Sequence, residues 1–222
     1  MIRQLLKEFY LAGSALIMSF LGKTRLYLCW SLLYRKVWHR EYKWVPVKDS
    51  ISIREALEAM RSLVWVRDGK RELFDAVGHP GWVQHCINEV QAGRGQPRGA
   101  LDCDEFAVWA AASLDIRRNP IVYQQTWCAK KGLALGGHHV CVFQDRAGGN
   151  LFHIGNWGYA GPFNSLEELG KQMCDAVDAI PVSWALFTPG LQHVANGARL
   201  PEKINYAGLE QTLSIHFNSK EK

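Results

Sequence analysis

The spacing of apolar residues predicts four helices along the chain. Between residues 52 and 66 the apolar positions recur at helical intervals, as Ile53, Leu57, Met60 and Val64, so this stretch is predicted to be an amphipathic helix. Further helices are predicted over 82–90, from residue 103 to the Asn-Pro pair at 119–120, and over 165–177, because each has a start or stop signal at its ends.

The second half of the chain contains short apolar runs that are typical of β-strands. These runs are bounded by glycine or asparagine and cover 121–127, 138–144, 151–154 and 182–188. The Gly-rich stretch 145–150 predicts an antiparallel hairpin between two of them. The mixture predicts an α+β fold, in which the helix that begins near residue 103 packs its small alanines on a small antiparallel sheet.

Composition indicates a globular chain with its positive charge at one end. Hydrophobic residues make up 48% of the 222 residues and charged residues 21%, which argues against a disordered protein. Residues 1–50 contain nine Lys or Arg against three acids, a net +6, while the whole chain carries +5. The remaining residues are therefore close to neutral, and the basic character belongs to the N-terminal segment.

Two apolar runs, 11–21 and 26–34, lie inside this basic segment. Each is shorter than the ~20 residues that a membrane-spanning helix needs. One interpretation is an N-terminal helical extension over 1–50 that packs on the following domain or on a partner. Another is an interfacial helix that brings residues 1–45 to a membrane surface, and a third is a targeting signal, although no small-residue cleavage site follows.

The chain is therefore predicted to have three parts: the extension over 1–50, a domain over 51–190 and a polar segment over 191–222. Nucleic-acid binding by the basic segment is disfavoured, because its apolar runs suit a lipid or protein surface better than phosphate. No pattern in the sequence indicates an oligomeric state.

Cysteine usage indicates a reducing compartment. The six cysteines are scattered and include no Cys-x-x-Cys pair; they lie at positions 29, 86, 103, 128, 141 and 174. This spacing predicts reduced thiols in a cytosolic or cytosol-facing protein, peripheral to a membrane if the extension binds one. It lacks the paired ligands of a zinc site, and we expect neither a metal nor another cofactor.

One cysteine is predicted to lie at the start of a helix. In the segment Asp-Cys-Asp-Glu-Phe-Ala, residues 102–107, Asp102 and Glu105 have the spacing of a capping box. Cys103 then lies where unpaired amides and the helix dipole favour a thiolate. The alternative is a buried structural thiol.

A histidine pair downstream provides a candidate base. His138 and His139 are adjacent on a predicted strand and therefore point to opposite faces, so only one of them can serve Cys103. Asn156 could orient that imidazole through its side-chain oxygen. The alternative for Asn156 is a turn residue, because the surrounding tetrapeptide, 155–158, is rich in turn formers.

These segments resemble the transglutaminase-like cysteine peptidase superfamily over about residues 80–160. Its members carry Gly-Asp-Cys-Asp-Asp-Phe-Ala or a close variant, then a strand that begins with His, then a strand that ends in Asp or Asn. The resemblance implies a papain-like core. It favours His138 over His139, because Val140 fits the hydrophobe that follows the family histidine by two places. It also suggests that Trp157 covers the bond between Asn156 and the histidine.

The resemblance further implies a cysteine-dependent acyl-transfer enzyme. Such a hydrolase, or thiol protease, would cleave an amide or peptide bond of a protein or peptide substrate through a Cys-His-Asn triad and a thioester, and transamidation is the related outcome. The backbone N–H of Cys103 and either Gln96 or Trp82 would form the oxyanion hole. The alternative is a catalytically inactive member that binds a protein or peptide in its groove.

Overall fold

The computed structural model describes the greater part of the chain after residue 44. The described residues are 45–66, 78–99, 101–131, 134–145, 149–190 and 192–202, with Gly13, Ile204 and Tyr206. Both N-terminal apolar runs therefore lie outside the described residues, apart from Gly13, and so does nearly all of the predicted extension. Within the described ranges, no helix combines the length and the apolarity that crossing a bilayer requires.

Four α-helices are formed by the described residues. They are α1 (Ile53–Arg61), α2 (Pro80–Gln91), α3 (Cys103–Ser113) and α4 (Leu166–Ala176), and a short 3₁₀ turn follows α3 at Ile116–Arg118. All four predicted helices are present, but α3 ends at Ser113 and not at the predicted Asn-Pro pair at 119–120, because Leu114 is extended and forms a bridge with Ile51.

The first helix ends earlier than the spacing of its apolar residues suggests. Helix α1 stops at Arg61, although the prediction continued to residue 66. Beyond the helix, the backbone of Val66 exchanges two hydrogen bonds with Leu101. A residue held in such a bridge cannot continue a helical ladder, so this tertiary contact overrides the local periodicity.

Six strands form one antiparallel sheet. They are β1 (Ile121–Ala129), β2 (Leu135–Gln144), β3 (Leu151–Gly155), β4 (Gly158–Phe163), β5 (Ala179–Phe187) and β6 (His193–Ala198), in the spatial order β4-β3-β2-β1-β5-β6. The α+β class and the hairpin between β2 and β3 are confirmed. Strands β4 and β6 were not predicted, because glycine, proline and asparagine within them mimic turns.

The sheet continues beyond the domain boundary that the sequence suggested. Strand β6 pairs with β5 along its length, so the boundary expected at residue 190 falls inside the sheet. Tyr206 lies further along the chain, is buried, and donates its hydroxyl hydrogen bond to the carbonyl of Asn119. Residues 192–202 and Tyr206 therefore contribute to the same folded unit.

Helices cover the sheet on both faces. On one face, Cys141 and Phe143 of β2 belong to a core cluster with residues of α1, α2 and α3. On the other face, Val140 and Val142 belong to a second cluster with residues of α4. Because alternate residues of a strand point to opposite faces, odd-numbered positions of β2 face the helix that begins at Cys103.

Candidate active site

A capping box fixes the start of helix α3. The carboxylate of Asp102 accepts hydrogen bonds from the backbone N–H groups of Asp104, at 3.2 Å, and Glu105. In return, the carboxylate of Glu105 accepts the N–H of Asp102 at 2.9 Å. The predicted capping box is confirmed, and it places Cys103 at the first helical position, where the amides and the helix dipole favour a negative charge.

Further hydrogen bonds hold the chain on both sides of the cysteine. The backbones of Leu101 and Val66 exchange hydrogen bonds of 2.8 and 2.9 Å. The buried carboxylate of Glu105 also accepts the N–H of Gly78 at 3.1 Å. The position of Cys103 is thus set by groups from three separate parts of the sequence.

Cys103 differs in exposure from the other cysteines that the structure describes. Cys103 is partly exposed, whereas the remaining four are buried, namely Cys86, Cys128, Cys141 and Cys174. Burial raises the pKa of the Cys86 thiol to about 12 and that of Cys174 to about 11, and it also raises the pKa of Cys141. These three thiols stay protonated at neutral pH, and Cys128 is buried away from solvent, so among the described cysteines Cys103 is the candidate nucleophile.

His139 is the histidine that faces Cys103. Its Nδ1 atom lies 3.9 Å from the Cys103 sulfur, within the range of a sulfur hydrogen bond. His138 lies on the opposite face of the sheet, where its ring stacks on Trp157 with the centroids 3.7 Å apart. His139 therefore replaces His138 as the candidate base, because odd-numbered positions of β2 face α3.

Asn156 lies in the turn that follows β3, and its Oδ1 atom makes no hydrogen bond to His139 in this structure. Strand β3 pairs with β2 as far as Cys141 and Ile154; the same register continued by two residues would set Asn156 opposite His139, but the pairing does not extend that far. The Nε2 atom of His139 and the Oδ1 atom of Asn156 are both buried and have no hydrogen-bond partner. Trp157 is about half exposed and stacks on His138, so it does not take the covering position that the resemblance suggests.

Burial controls the charge of the histidines. His139 is only 2% exposed, and burial lowers its pKa to about 4 while the nearby Asp102 acts in the opposite direction. The imidazole of His139 is therefore neutral at pH 7 and can accept a proton. Burial also lowers the pKa of His138, to about 3, with a further contribution from His139.

Asp102 is ionised within this site. Burial acts to raise its pKa, but hydrogen bonds from Asp104 and Glu105 and the nearby His139 outweigh burial, and the pKa is lowered. One carboxylate oxygen of Asp102 lies within 4.8 Å of the Cys103 sulfur, and one of Asp104 lies at the same range. These three residues could offer ligand atoms to a cation, yet the Asp102 carboxylate is already engaged by the helix amides.

The two candidate oxyanion donors, Gln96 and Trp82, have different surroundings. Both polar atoms of the Gln96 side chain bind the backbone of Val64: Oε1 accepts its N–H at 2.6 Å, and Nε2 donates to its carbonyl at 2.8 Å. Gln96 therefore closes a loop on Val64, which disfavours it as the oxyanion donor, and its role stays a prediction. Trp82 is buried, with its ring against Gly99, four residues before Cys103, and its role stays a prediction.

Comparison with known proteins adds no family assignment. No protein family model and no curated protein matches this chain.

Proposed function

We propose that this protein is a cysteine-dependent acyl-transfer enzyme that hydrolyses an amide or peptide bond, built on a papain- or transglutaminase-like core. The observation that carries the proposal is the 3.9 Å approach of the Cys103 sulfur, at the start of a capped helix, to the buried Nδ1 atom of His139. A nucleophile with its base in reach is the arrangement that thiol catalysis requires. A cytosolic location and a protein or peptide substrate belong to the same proposal.

The first half of the reaction forms a thioester. The Cys103 sulfur attacks the carbonyl carbon as its proton passes to Nδ1 of His139, which is neutral at pH 7 and can accept it. The tetrahedral intermediate then collapses, the carbon–nitrogen bond breaks, and the leaving amine takes the proton from His139.

The second half releases the acid. A water molecule gives a proton to His139 and attacks the thioester, and collapse of the second tetrahedral intermediate releases the carboxylic acid. The proton on His139 returns to the Cys103 sulfur, so the net reaction adds one water to the amide. An amine in place of the water would give transamidation instead.

Asn156 would set the tautomer of the base. If Nε2 of His139 carries the hydrogen, the lone pair of Nδ1 faces the thiol and Nε2 can donate to Oδ1 of Asn156. Both of these atoms are buried without a hydrogen-bond partner, which is costly unless they pair during the reaction cycle. The unsatisfied pair supports an orienting role for Asn156.

Acylation by p-nitrophenyl acetate tests the proposal without knowledge of the natural substrate. We expect intact-mass spectrometry to show an acetyl group on Cys103 that disappears on incubation at pH 7, and no adduct in Cys103→Ala. Cys103→Ser keeps a hydroxyl in place of the thiol and is the closer control. If wild-type Cys103 gains no acetyl group, or keeps it indefinitely, the hydrolytic proposal is wrong.

A protein- or peptide-binding module is the second candidate function. The hydrogen bonds of the Gln96 side chain to the backbone of Val64 favour this binding function, because they leave the second oxyanion donor unassigned. A surface depression of about 570 Å³ between α1 and Tyr159 includes none of the candidate catalytic residues and could hold an extended peptide. Failure of Cys103 to acylate would favour this function.

A further inference from the structure

In the proposed triad the third residue is Asn156, which is neutral. It therefore provides no negative charge to stabilise the protonated form of His139. During each acyl-transfer step His139 becomes positively charged, although its side chain is almost completely buried. Burial of an uncompensated charge is unfavourable. The amide of Asn156 can orient the ring but has no net charge to offset this cost.

Asp102 is the acidic group whose charge acts on the pKa of His139. Its carboxylate is held by the amide groups at the start of α3 and is 8% exposed. It lies within 4.8 Å of the Cys103 sulfur, which in turn lies 3.9 Å from His139. Fixed, poorly hydrated charges act strongly over such distances.

We infer that Asp102 is a positioning residue with two roles: it caps the nucleophile helix, and its negative charge stabilises the protonated form of His139. This inference rests on the proposed function. The same charge opposes a thiolate on Cys103, because both are negative, so Asp102 favours the steps in which sulfur is neutral and the imidazole is charged. These are the steps in which the thioester is hydrolysed and the leaving amine is protonated.

The groups around His139 support this assignment. The pKa of His139 responds to burial and to Asp102. The adjacent His138 is neutral and lies on the opposite face of the sheet. Cys103 and Asp104 are further titratable groups nearby: the sulfur is uncharged once it is acylated, and Asp104, which is completely buried, has a carboxylate oxygen within 4.8 Å of that sulfur.

Asp102→Asn tests the negative charge of Asp102 apart from its role as a helix cap. Asparagine caps helices about as well as aspartate, so Asp102→Asn removes the charge and keeps the cap, whereas Asp102→Ala removes both. The proteins are acetylated with p-nitrophenyl acetate, and hydrolysis of acetyl-Cys103 is followed across pH. Alkylation of the free thiol by iodoacetamide is measured in parallel.

We expect Asp102→Asn to slow hydrolysis of the acetyl-enzyme about three- to tenfold at pH 7, because His139 is a weaker base without the nearby carboxylate. The acid limb of the pH profile should move to lower pH, while alkylation of Cys103 is unchanged or faster. A distorted site would slow both reactions, so the opposite responses identify a charge effect.

Two outcomes would overturn the inference. If Asp102→Asn hydrolyses its acetyl group at the wild-type rate while Asp102→Ala is slow, Asp102 acts as a cap alone. If Asp102→Asn slows both hydrolysis and alkylation, it acts through the shape of the site. Failure of the wild-type protein to form an acetyl-enzyme is a separate result, because it contradicts the proposed function itself.

Discussion

The sulfur of Cys103 and the Nδ1 atom of His139 lie 3.9 Å apart, although 36 residues separate them in the sequence. The contact joins the first residue of α3 to the strand β2, which is covered by helices on both faces. Burial keeps the imidazole neutral at pH 7. A partly exposed thiol and a neutral base thus meet where the start of α3 contacts β2, and the predictions below follow from that arrangement.

Gln96 is expected to stabilise the fold without taking part in the chemistry. Gln96→Ala removes two hydrogen bonds to Val64 and should lower the free energy of unfolding by about 1–2 kcal/mol. Gln96→Glu keeps the acceptor for the Val64 N–H but turns a carboxylate oxygen towards the Val64 carbonyl, so it should also be less stable than wild type. Urea denaturation measures both effects.

The same variants test whether Gln96 has any catalytic role. An oxyanion donor contributes a factor of about 10²–10³ in rate. We expect the rate of Cys103 acetylation in Gln96→Ala to stay within about twofold of wild type, measured well below the unfolding transition. A loss of a hundredfold would return Gln96 to the oxyanion hole.

Acid is expected to destabilise the protein through its buried histidines. Burial lowers the pKa of His138 to about 3, and those of His139 and His153 to about 4, from an ordinary value of 6.5. The unfolded chain therefore binds more protons below pH 6.5, and the free energy of unfolding falls as the pH drops from about 6.5 towards 4. Each histidine adds a slope that approaches about 1.4 kcal/mol per pH unit.

The contribution of one histidine to this pH dependence of the free energy of unfolding can be measured with a single substitution. His153→Gln removes one titrating group that burial alone perturbs. Urea midpoints between pH 7 and pH 4.5 should show a shallower dependence for His153→Gln than for wild type. Parallel curves for the two proteins would show that folding does not lower the pKa of His153.

Gly78→Ala is expected to disturb the start of α3 from a distance. A Cβ atom on Gly78 would lie 2.7 Å from the Oε1 atom of Glu105 and 2.8 Å from its Cγ, so the buried Glu105 side chain must move and weaken its bond to Asp102. We expect a loss of about 2 kcal/mol in the free energy of unfolding, together with slower alkylation of Cys103.

Gly137→Ala is the matched control for that change. Gly137 lies in β2, and the nearest atom to an added Cβ is 3.5 Å away, which is an ordinary contact. Its stability should stay within about 0.5 kcal/mol of wild type. Equal losses in the two variants would show that the effect is general to glycine replacement and does not depend on Glu105.

The helices of this fold could be predicted from sequence because their ends carry local signals. Ser52 and Asp102 each open a capping box, and Pro80 occupies the first position of α2. The strands β4 and β6 could not be predicted, because their turn-forming residues are held in the sheet by pairing with β3 and β5, and long-range pairing leaves no local pattern.

The sequence also could not show which of the two histidines, His138 or His139, faces Cys103. Alternation placed His138 and His139 on opposite faces, but both faces of β2 are apolar, with Val140 and Val142 on one and Cys141 and Phe143 on the other. Such a pattern predicts a strand buried on both sides and cannot tell which side holds the nucleophile helix. The path of the loop that carries Gln96 had no local signal either.

Alkylation of Cys103 by iodoacetamide at pH 7 tests the central claim most directly. The rate is compared among wild type, His139→Ala and His138→Ala, with circular dichroism used to verify that each variant is folded. We predict that His139→Ala slows alkylation at least tenfold and that His138→Ala leaves it within about twofold, because only His139 contacts the sulfur. Slow alkylation in wild type that neither substitution changes, or a loss confined to His138→Ala, would contradict the account.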